Sequence, residues 1–557
     1  MKKILITAAL PYINNVPHMG HIVGSHLPAD IFYRYCIQKG YEAVFIGGSD
    51  EHGTPSVIAA RETNMNTDEF VNKLHFIHKE IYDKLEINYS IYSRTSSLNH
   101  HKIVKDFFKE VYKNGYISKE KVKMYYSEED KMFLPDRFIT GTCPKCKYEG
   151  ANGDQCESCG YILTNSTELI NPKSKISGST PILKETEHLY FDLDKLSGKL
   201  EEWLETKKDI LKSNVYAEGK KWIKDGLRKR SITRDMSWGI KVPLEGFEDK
   251  VFYVWFDAPI GYITFADEIN KMDFWTKDTE IYHFLGKDNI PFHIVFWPAM
   301  LLANSKFNMP YYVAGYNYLN YEGQKFSKSK KIGVFCYNLL HSDIDIDSLR
   351  FYLTSVLPES KDSDFKWEAF RNTVNAELIG NIANFFNRTL NLIWKNFENS
   401  DQATFSYEGI YNEEDKPLLD ALENYPKIID ELYEKVEIRN AQKKILELSS
   451  IGNKYIDTKA PWNLAKNGNI EELKKVLHLS INLVKTLSIL IAPVIPKKIE
   501  KFWKEQLYLK GSPLDKNSYN FKIEKEHTIK KPSPLFQRIE EDYLKNLEKE
   551  FSAPFDM

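Results

Sequence analysis

Pro11-Tyr12-Ile13-Asn14-Asn15-Val16-Pro17-His18-Met19-Gly20-His21 decides how the rest of the chain is read. The run Ile4-Leu5-Ile6 before it is short and apolar, as a buried strand is. After it, Ile22, Ala29, Phe32 and Cys36 fall at helical spacing. The stretch is therefore expected on a strand-to-helix turn, which in an α/β sheet lies at the carboxyl edge of a strand, where ligands bind. The free N–H groups and dipole of the following helix favour a phosphate there. Gly20, without a side chain, would let a flat base or sugar approach the backbone between His18 and His21. A proline-rich loop with two surface histidines is the plainer alternative. Pro28 is expected to kink the first helix.

Outward from this stretch, the next feature is Lys325-Phe326-Ser327-Lys328-Ser329, which alone reads as a solvated basic loop with Lys330 and Lys331. Paired in this order with His-x-Gly-His, it resembles the two signatures of class I aminoacyl-tRNA synthetases. Ala9-Leu10-Pro11-Tyr12 and Gly315-Tyr316 are similar to the methionyl-tRNA synthetase family, and the likeness runs from Lys3 to Pro534-Leu535-Phe536. The second motif departs from the family pattern at Phe326, commonly Met, which is apolar in both.

The resemblance implies an α/β, Rossmann-like catalytic domain with a zinc-binding insertion, followed by an α-helical anticodon-binding bundle. It implies a methionine–tRNA ligase that joins L-methionine to tRNA(Met) through an adenylate, with Mg2+ accompanying ATP. His18, His21, Lys325 and Lys328 would be the catalytic groups, with Gly20 and Asp288 beside them at ATP. Leu10, Tyr12, Asp50, Trp255, Ala258, Pro259, Tyr262 and His293 match the methionine site, Asp50 holding the amino group. Asn289 falls where the family often has an apolar residue, and the neighbouring Ile290 could supply that wall. An aromatic, apolar slot suits a thioether, which is polarisable and packs well on ring faces.

A chain of 557 residues exceeds one core and predicts three or more domains. Charged residues at 28% and hydrophobic ones at 42% are ordinary for a globular protein. A net charge of −2 gives no global attraction to nucleic acid, so tRNA would need local basic surface such as Lys220-Lys221 through Lys229-Arg230. No secretory segment opens the sequence, and the apolar stretch from Leu477 to Ile495 is interrupted by Lys485 and Pro493, as in a core helix. A cytoplasmic protein with no membrane partner is expected.

Of the 6 cysteines, four cluster as Cys143-Pro144-Lys145-Cys146 and Cys156-Glu157-Ser158-Cys159. Two such pairs across a polar turn can set four thiolates tetrahedrally around one structural zinc, with no open position for water. A redox or disulfide role is the alternative.

In chain order, a second strand, Ala43 to Ile46, ends at Gly47-Gly48-Ser49-Asp50-Glu51-His52-Gly53, where Asp50 could instead cap the next helix. The expected division is 1–115 for the first half of the nucleotide fold and 116–233 for the zinc-knuckle insertion. Then come 234–324 for the second half and 325–370 for a stem-contact region bearing the second motif. A helical anticodon domain would fill 371–530, and a tail helix 531–557. The run Tyr253 to Tyr262 reads as a strand broken at Pro259. Asn384 and Arg388, four apart on one helix face, and Trp462 after Pro461 match the family's anticodon readers, the tryptophan stacking on a splayed base. An exposed polar pair and a core tryptophan are the bland alternatives. No appended dimerising domain follows, which favours a monomer. Two rivals stand beside this reading: a sister synthetase for another apolar amino acid, and a non-catalytic tRNA-binding or zinc-ribbon protein.

Overall fold

A computed structural model describes residues 2–134, 136–153, 155–161, 163, 166–326 and 333–551. Its central sheet contains β1 (Lys3–Ala8), β2 (Glu42–Ser49), β3 (Ile91–Arg94), β4 (Glu280–Gly286) and β5 (Tyr312–Tyr316). They lie in the order β5-β4-β1-β2-β3 with every ladder parallel. Ile6 of β1 sits opposite Tyr282 on one side and Phe45 on the other. Ile4, Leu5 and Ile6 are fully buried, so β1 is covered on both faces and reads as a continuous apolar run. The chain builds outward from β1 in one direction and from β4 in the other. A crevice therefore opens at the carboxyl ends of these two neighbours.

The two halves repeat a local design. β1 leads through the histidine motif into a π turn, Ile22–His26, and then helix α1, Leu27–Gln38. β4 leads into a π turn, Phe292–Phe296, and then the helix Trp297–Asn304. The N–H of Leu27 donates to the carbonyl of Ile22, and that of Trp297 to Phe292, each five residues back. Pro28 and Pro298 follow immediately. The expected kink at Pro28 is thus a widened turn just before it, which absorbs the missing N–H.

Between the halves, the strands Ile117–Ser127 and Ile182–Phe191 pair antiparallel from Ile117 opposite Phe191 to Tyr126 opposite Ile182. A small sheet carries the cysteines and has its own core of Leu134, Phe138, Ile139, Cys143, Ala151 and Cys156, packed on Val57. Val57 belongs to the helix Thr54–Glu62, which starts directly after the Asp50-to-Gly53 loop.

The C-terminal bundle includes α2 (Asn384–Phe397), α3 (Ile438–Lys459), α4 (Pro461–Lys466) and α5 (Ile470–Ile491). α5 is the expected core helix. The two lysines in its buried stretch are paired, Lys475 with Asp415 and Glu472, and Lys485 with Glu524. Among the described residues no helix is long and apolar enough to cross a membrane. A three-stranded sheet, Glu398–Asn399 with Gln402–Ser406 and Glu526–Ile529, interrupts the helices and was not foreseen. The tail helix α6 (Glu541–Phe551) folds back on the body, setting the Phe551 ring 5.6 Å from Trp367. Arg350, fully buried, ties bundle to sheet: it reaches Asp30 of α1 at 2.6 Å and donates to the carbonyls of Leu85, Glu86, Pro493 and Val494. Every donor of that buried guanidinium is thereby answered by an acceptor that the two domains share.

Candidate active site

At the carboxyl end of β1, His18 and His21 cap one short helical turn reciprocally. Nδ1 of His18 accepts from the N–H of Gly20 at 3.1 Å, and Nδ1 of His21 accepts from the N–H of His18 at 3.1 Å. In a neutral imidazole this puts the ring proton on Nε2 of both histidines. A Cβ on Gly20 would lie 2.9 Å from the His18 ring, so the glycine makes room for His18. The stretch is locked in place by Pro11, whose carbonyl accepts from the N–H of Asp50 at 3.0 Å, and by Ile13, whose N–H donates to Asp50 at 2.9 Å.

Leu10, Tyr12, Asp50, Trp255, Ala258, Pro259, Tyr262 and His293 all line one cavity of about 170 Å³ with His21 at its rim. That is smaller than the ~300–1,000 Å³ of drug-sized sites and suits a single amino acid. Phe292, Phe296 and Trp297 complete its wall and were not anticipated. Phe292 stacks on Trp255 with centroids 3.5 Å apart, and Tyr12 meets Trp255 edge-on at 6.2 Å. Asn289 also lines the cavity, but Ile290 does not: it packs under Gly315, where a Cβ would come within 2.6 Å of it. The run expected as a strand from Tyr253 is instead helical, Val254–Asp257 continuing through Ala258–Ile260 into Gly261–Glu268. Helical winding sets Trp255, Ala258, Pro259 and Tyr262 on one face, at spacings of three and four residues. That spacing was readable in the sequence.

Polar groups in the cavity are few. The N–H at Nδ1 of His293 donates to the carbonyl of Asn289 at 3.0 Å, so its Nε2 accepts from the Tyr262 hydroxyl at 2.9 Å. Burial pushes His293 down to about 4, keeping it neutral. Asp50 is 4% exposed and its Oδ1 has no partner in the described structure. Burial first, then the charges of Asp257 and Glu51, hold its carboxyl well above the usual carboxylate range. The helix after Gly53 has no side-chain cap, so Asp50 is not an N-cap. A buried carboxyl with an unsatisfied oxygen at the mouth of an apolar slot fits a cationic group better than a neutral one.

Beside the cavity, Tyr318 donates to Asp288, and the ammonium groups of Lys287 and Lys325 lie 3.8 and 5.8 Å from the Tyr318 ring. Tyr318 thus stands between Asp288 and Lys325. Lys328, with Ser327 and Ser329, lies outside the described residues.

The four cysteine sulfurs lie within 4.8 Å of one another, with Cys143 to Cys159 at 3.9 Å and Cys146 to Cys156 at 3.6 Å. A tetrahedron with Zn–S bonds of ~2.3 Å has edges of about 3.8 Å, so the donor set fits zinc. Far from the cavity, Asn384 and Arg388 share one face of α2, and the Arg388 guanidinium lies 5.6 Å over Trp462, which is 43% exposed. Within the expected basic surface from Lys220-Lys221 through Lys229-Arg230, Lys220 pairs with Glu201 and Glu205, and Lys229 with Glu120 and Asp192.

A ligand crevice between β1 and β4, with His-x-Gly-His at its edge and Phe326 stacked on His18, is the arrangement of a class I tRNA synthetase fold. A family model described as tRNA synthetases class I (M) matches residues 4–390, and one described as the anticodon binding domain of methionyl tRNA ligase matches residues 407–556. The methionine–tRNA ligase of Bacteroides fragilis (strain YCH46) is 41% identical over 97% of this chain and 79% of its own length. That of Sulfurisphaera tokodaii is 40% identical over 98% and 99%. The chain belongs to the methionine–tRNA ligase family. Among solved structures, Mycobacterium tuberculosis methionyl-tRNA synthetase in complex with methionyl-adenylate shares the fold, with a TM-score of 0.80 at 22% identity over 97% of this chain and 100% of that one.

Proposed function

We propose that the chain is a methionine–tRNA ligase that activates L-methionine with ATP and transfers it to the 3′-terminal ribose of tRNA(Met), releasing AMP and pyrophosphate. The observation that carries this is the pairing of an unsatisfied buried carboxyl, Asp50, with an aromatic slot directly beside the histidine motif. Asp50 receives the α-ammonium group, and Trp255, Ala258, Pro259, Tyr262, Leu10, Tyr12 and His293 receive the thioether. The methionine carboxylate then attacks the α-phosphorus in line. The Nε2–H donors of His18 and His21 hydrogen-bond the phosphates as charge develops, beside Gly20 and Asp288. Lys325 and Lys328 neutralise the leaving pyrophosphate, with Mg2+ carried in on ATP. No side chain becomes a covalent nucleophile, so the catalysis is positioning and charge stabilisation. The four cysteines hold one structural zinc, and Asn384, Arg388 and Trp462 read the anticodon in a domain of their own. The division at 115, 233, 324, 370 and 530 follows these roles, in a cytoplasmic monomer. The test is ATP–pyrophosphate exchange with each of the twenty amino acids. Exchange with methionine alone supports the reading. Exchange with another apolar amino acid makes the chain a sister synthetase, and none at all leaves a binding protein.

A further inference from the structure

α2, with the π-helical segment Val374–Ala383 that leads into it, runs parallel to α3 with polar residues in register: Asn381 meets Ser450, Asn384 meets Asn453, and Arg388 meets Asp457, each pair 69 positions apart. Gly452 permits the close approach, since a Cβ there would lie 2.5 Å from Leu483 and 2.8 Å from Phe385. The seam fixes the orientation of each amide in turn. Nδ2 of Asn381 donates to the carbonyl of Leu446 at 3.0 Å, and a carbonyl can only accept. Oδ1 of Asn381 therefore faces Asn453, whose Nδ2 donates to it at 3.1 Å and to the carbonyls of Asn381 and Ser449 at 3.1 and 3.2 Å. Oδ1 of Asn453 is left to accept from Nδ2 of Asn384 at 3.3 Å. With Nδ2 so used, Oδ1 is what Asn384 has left to offer in the groove that it lines with Arg388, whose guanidinium Asp457 holds at 2.6 Å.

We propose that Asn453 is a positioning residue whose amide sets which way Asn384 faces, so that the groove shows a nucleobase an acceptor from Asn384 beside donors from Arg388. This rests on the reading of Asn384, Arg388 and Trp462 as anticodon contacts. Asn453 itself touches no base and acts only through Asn384.

The test is a double-mutant cycle on the full chain, comparing aminoacylation of a tRNA(Met) transcript with that of one altered at a single anticodon base. Asn453→Ala lowers the preference for the native anticodon roughly 3- to 10-fold, as the loss of one net hydrogen bond would. It leaves methionine-dependent exchange and Tm at wild-type values. In the Asn384→Ala background it has no further effect. Asn453→Asp, which keeps the volume but sets an oxygen against the Asn381 and Ser449 carbonyls, gives the same loss of preference should the alanine variant fold poorly. Additive losses, or an unchanged preference in both variants, overturn the relay. If Asn384→Ala alone leaves aminoacylation unchanged, the anticodon reading itself is overturned, and the relay with it.

Discussion

The ring of Phe326 stacks on the imidazole of His18, with centroids 4.5 Å apart and planes 18° from parallel, and His18 stacks in turn on His21 at 3.8 Å. The two motifs thereby meet through a ring face, at the one position where the second motif departs from its family pattern. Gly333 makes the fit possible: its φ is +146° and a Cβ there would come within 2.4 Å of the Phe326 ring. Farther along, the N–H of Met19 donates to the carbonyl of Val334 at 3.1 Å, and that of Cys336 to Pro17 at 3.0 Å. The chain on both sides of residues 327–332 is therefore held against the histidine turn.

Phe326→Leu keeps an apolar side chain and removes the ring stack, worth about 0.5–1.5 kcal/mol. The expected result is a loss of roughly 2- to 10-fold in kcat for pyrophosphate exchange, with the KM for methionine unchanged. A raised KM at constant kcat would mean that Phe326 supports the methionine slot and not His18.

Asp50→Asn is expected to stabilise the fold while destroying methionine-dependent exchange. The folded carboxyl has its pKa raised by burial, then by Asp257 and Glu51. A raised acid binds more protons folded than unfolded, so it costs stability as pH climbs through its ordinary range, and costs none below that range. The variant should thus melt higher than wild type at pH 7, with the gain shrinking as pH falls toward about 4. A lower Tm at pH 7 would show that the carboxylate is needed for structure, not for an ammonium ligand.

Metal analysis should find about one zinc per chain, as a closed four-sulfur site requires. Chelation should loosen the small core around Leu134, Ile139 and Ala151 more than the central sheet, because only the former packs on the cysteine turns. Hydrogen exchange resolves the two. Full activity and unchanged protection in a zinc-free preparation would assign the cysteines another role.

Much of this architecture was legible in the sequence because its signals are local. The apolar β1 followed by His-x-Gly-His, the paired cysteines, and Asn384 with Arg388 at helical spacing each depend on residues a few positions apart. What stayed hidden depends on tertiary contact. The aromatic run Tyr253 to Tyr262 carries helical spacing, but its strand-forming composition masks it, and only the fold shows the helix that brings Trp255 and Tyr262 to one cavity. Phe292 gave no sign that it would stack on Trp255, and Ile290 beside it turned toward Gly315. The pairing of Lys220 and Lys229 was equally hidden, because their acidic partners, Glu201, Glu205, Glu120 and Asp192, come from other elements.

Trp462→Ala separates the two ends of the molecule. The tryptophan follows Pro461 at the start of α4, is 43% exposed, and presents its ring to Arg388, so the core alternative has lost its footing. A core tryptophan would leave a cavity costing about 3–5 kcal/mol and depress every activity together. An exposed stacking platform instead contributes on the order of 1–3 kcal/mol per base. Aminoacylation efficiency should therefore fall roughly 5- to 150-fold. Exchange requires no tRNA and should stay near wild type, with Tm shifted little. Exchange, aminoacylation and melting are to be measured on one preparation. Parallel loss of all three would return Trp462 to a structural role, whereas loss of aminoacylation alone makes its ring the surface on which an anticodon base rests.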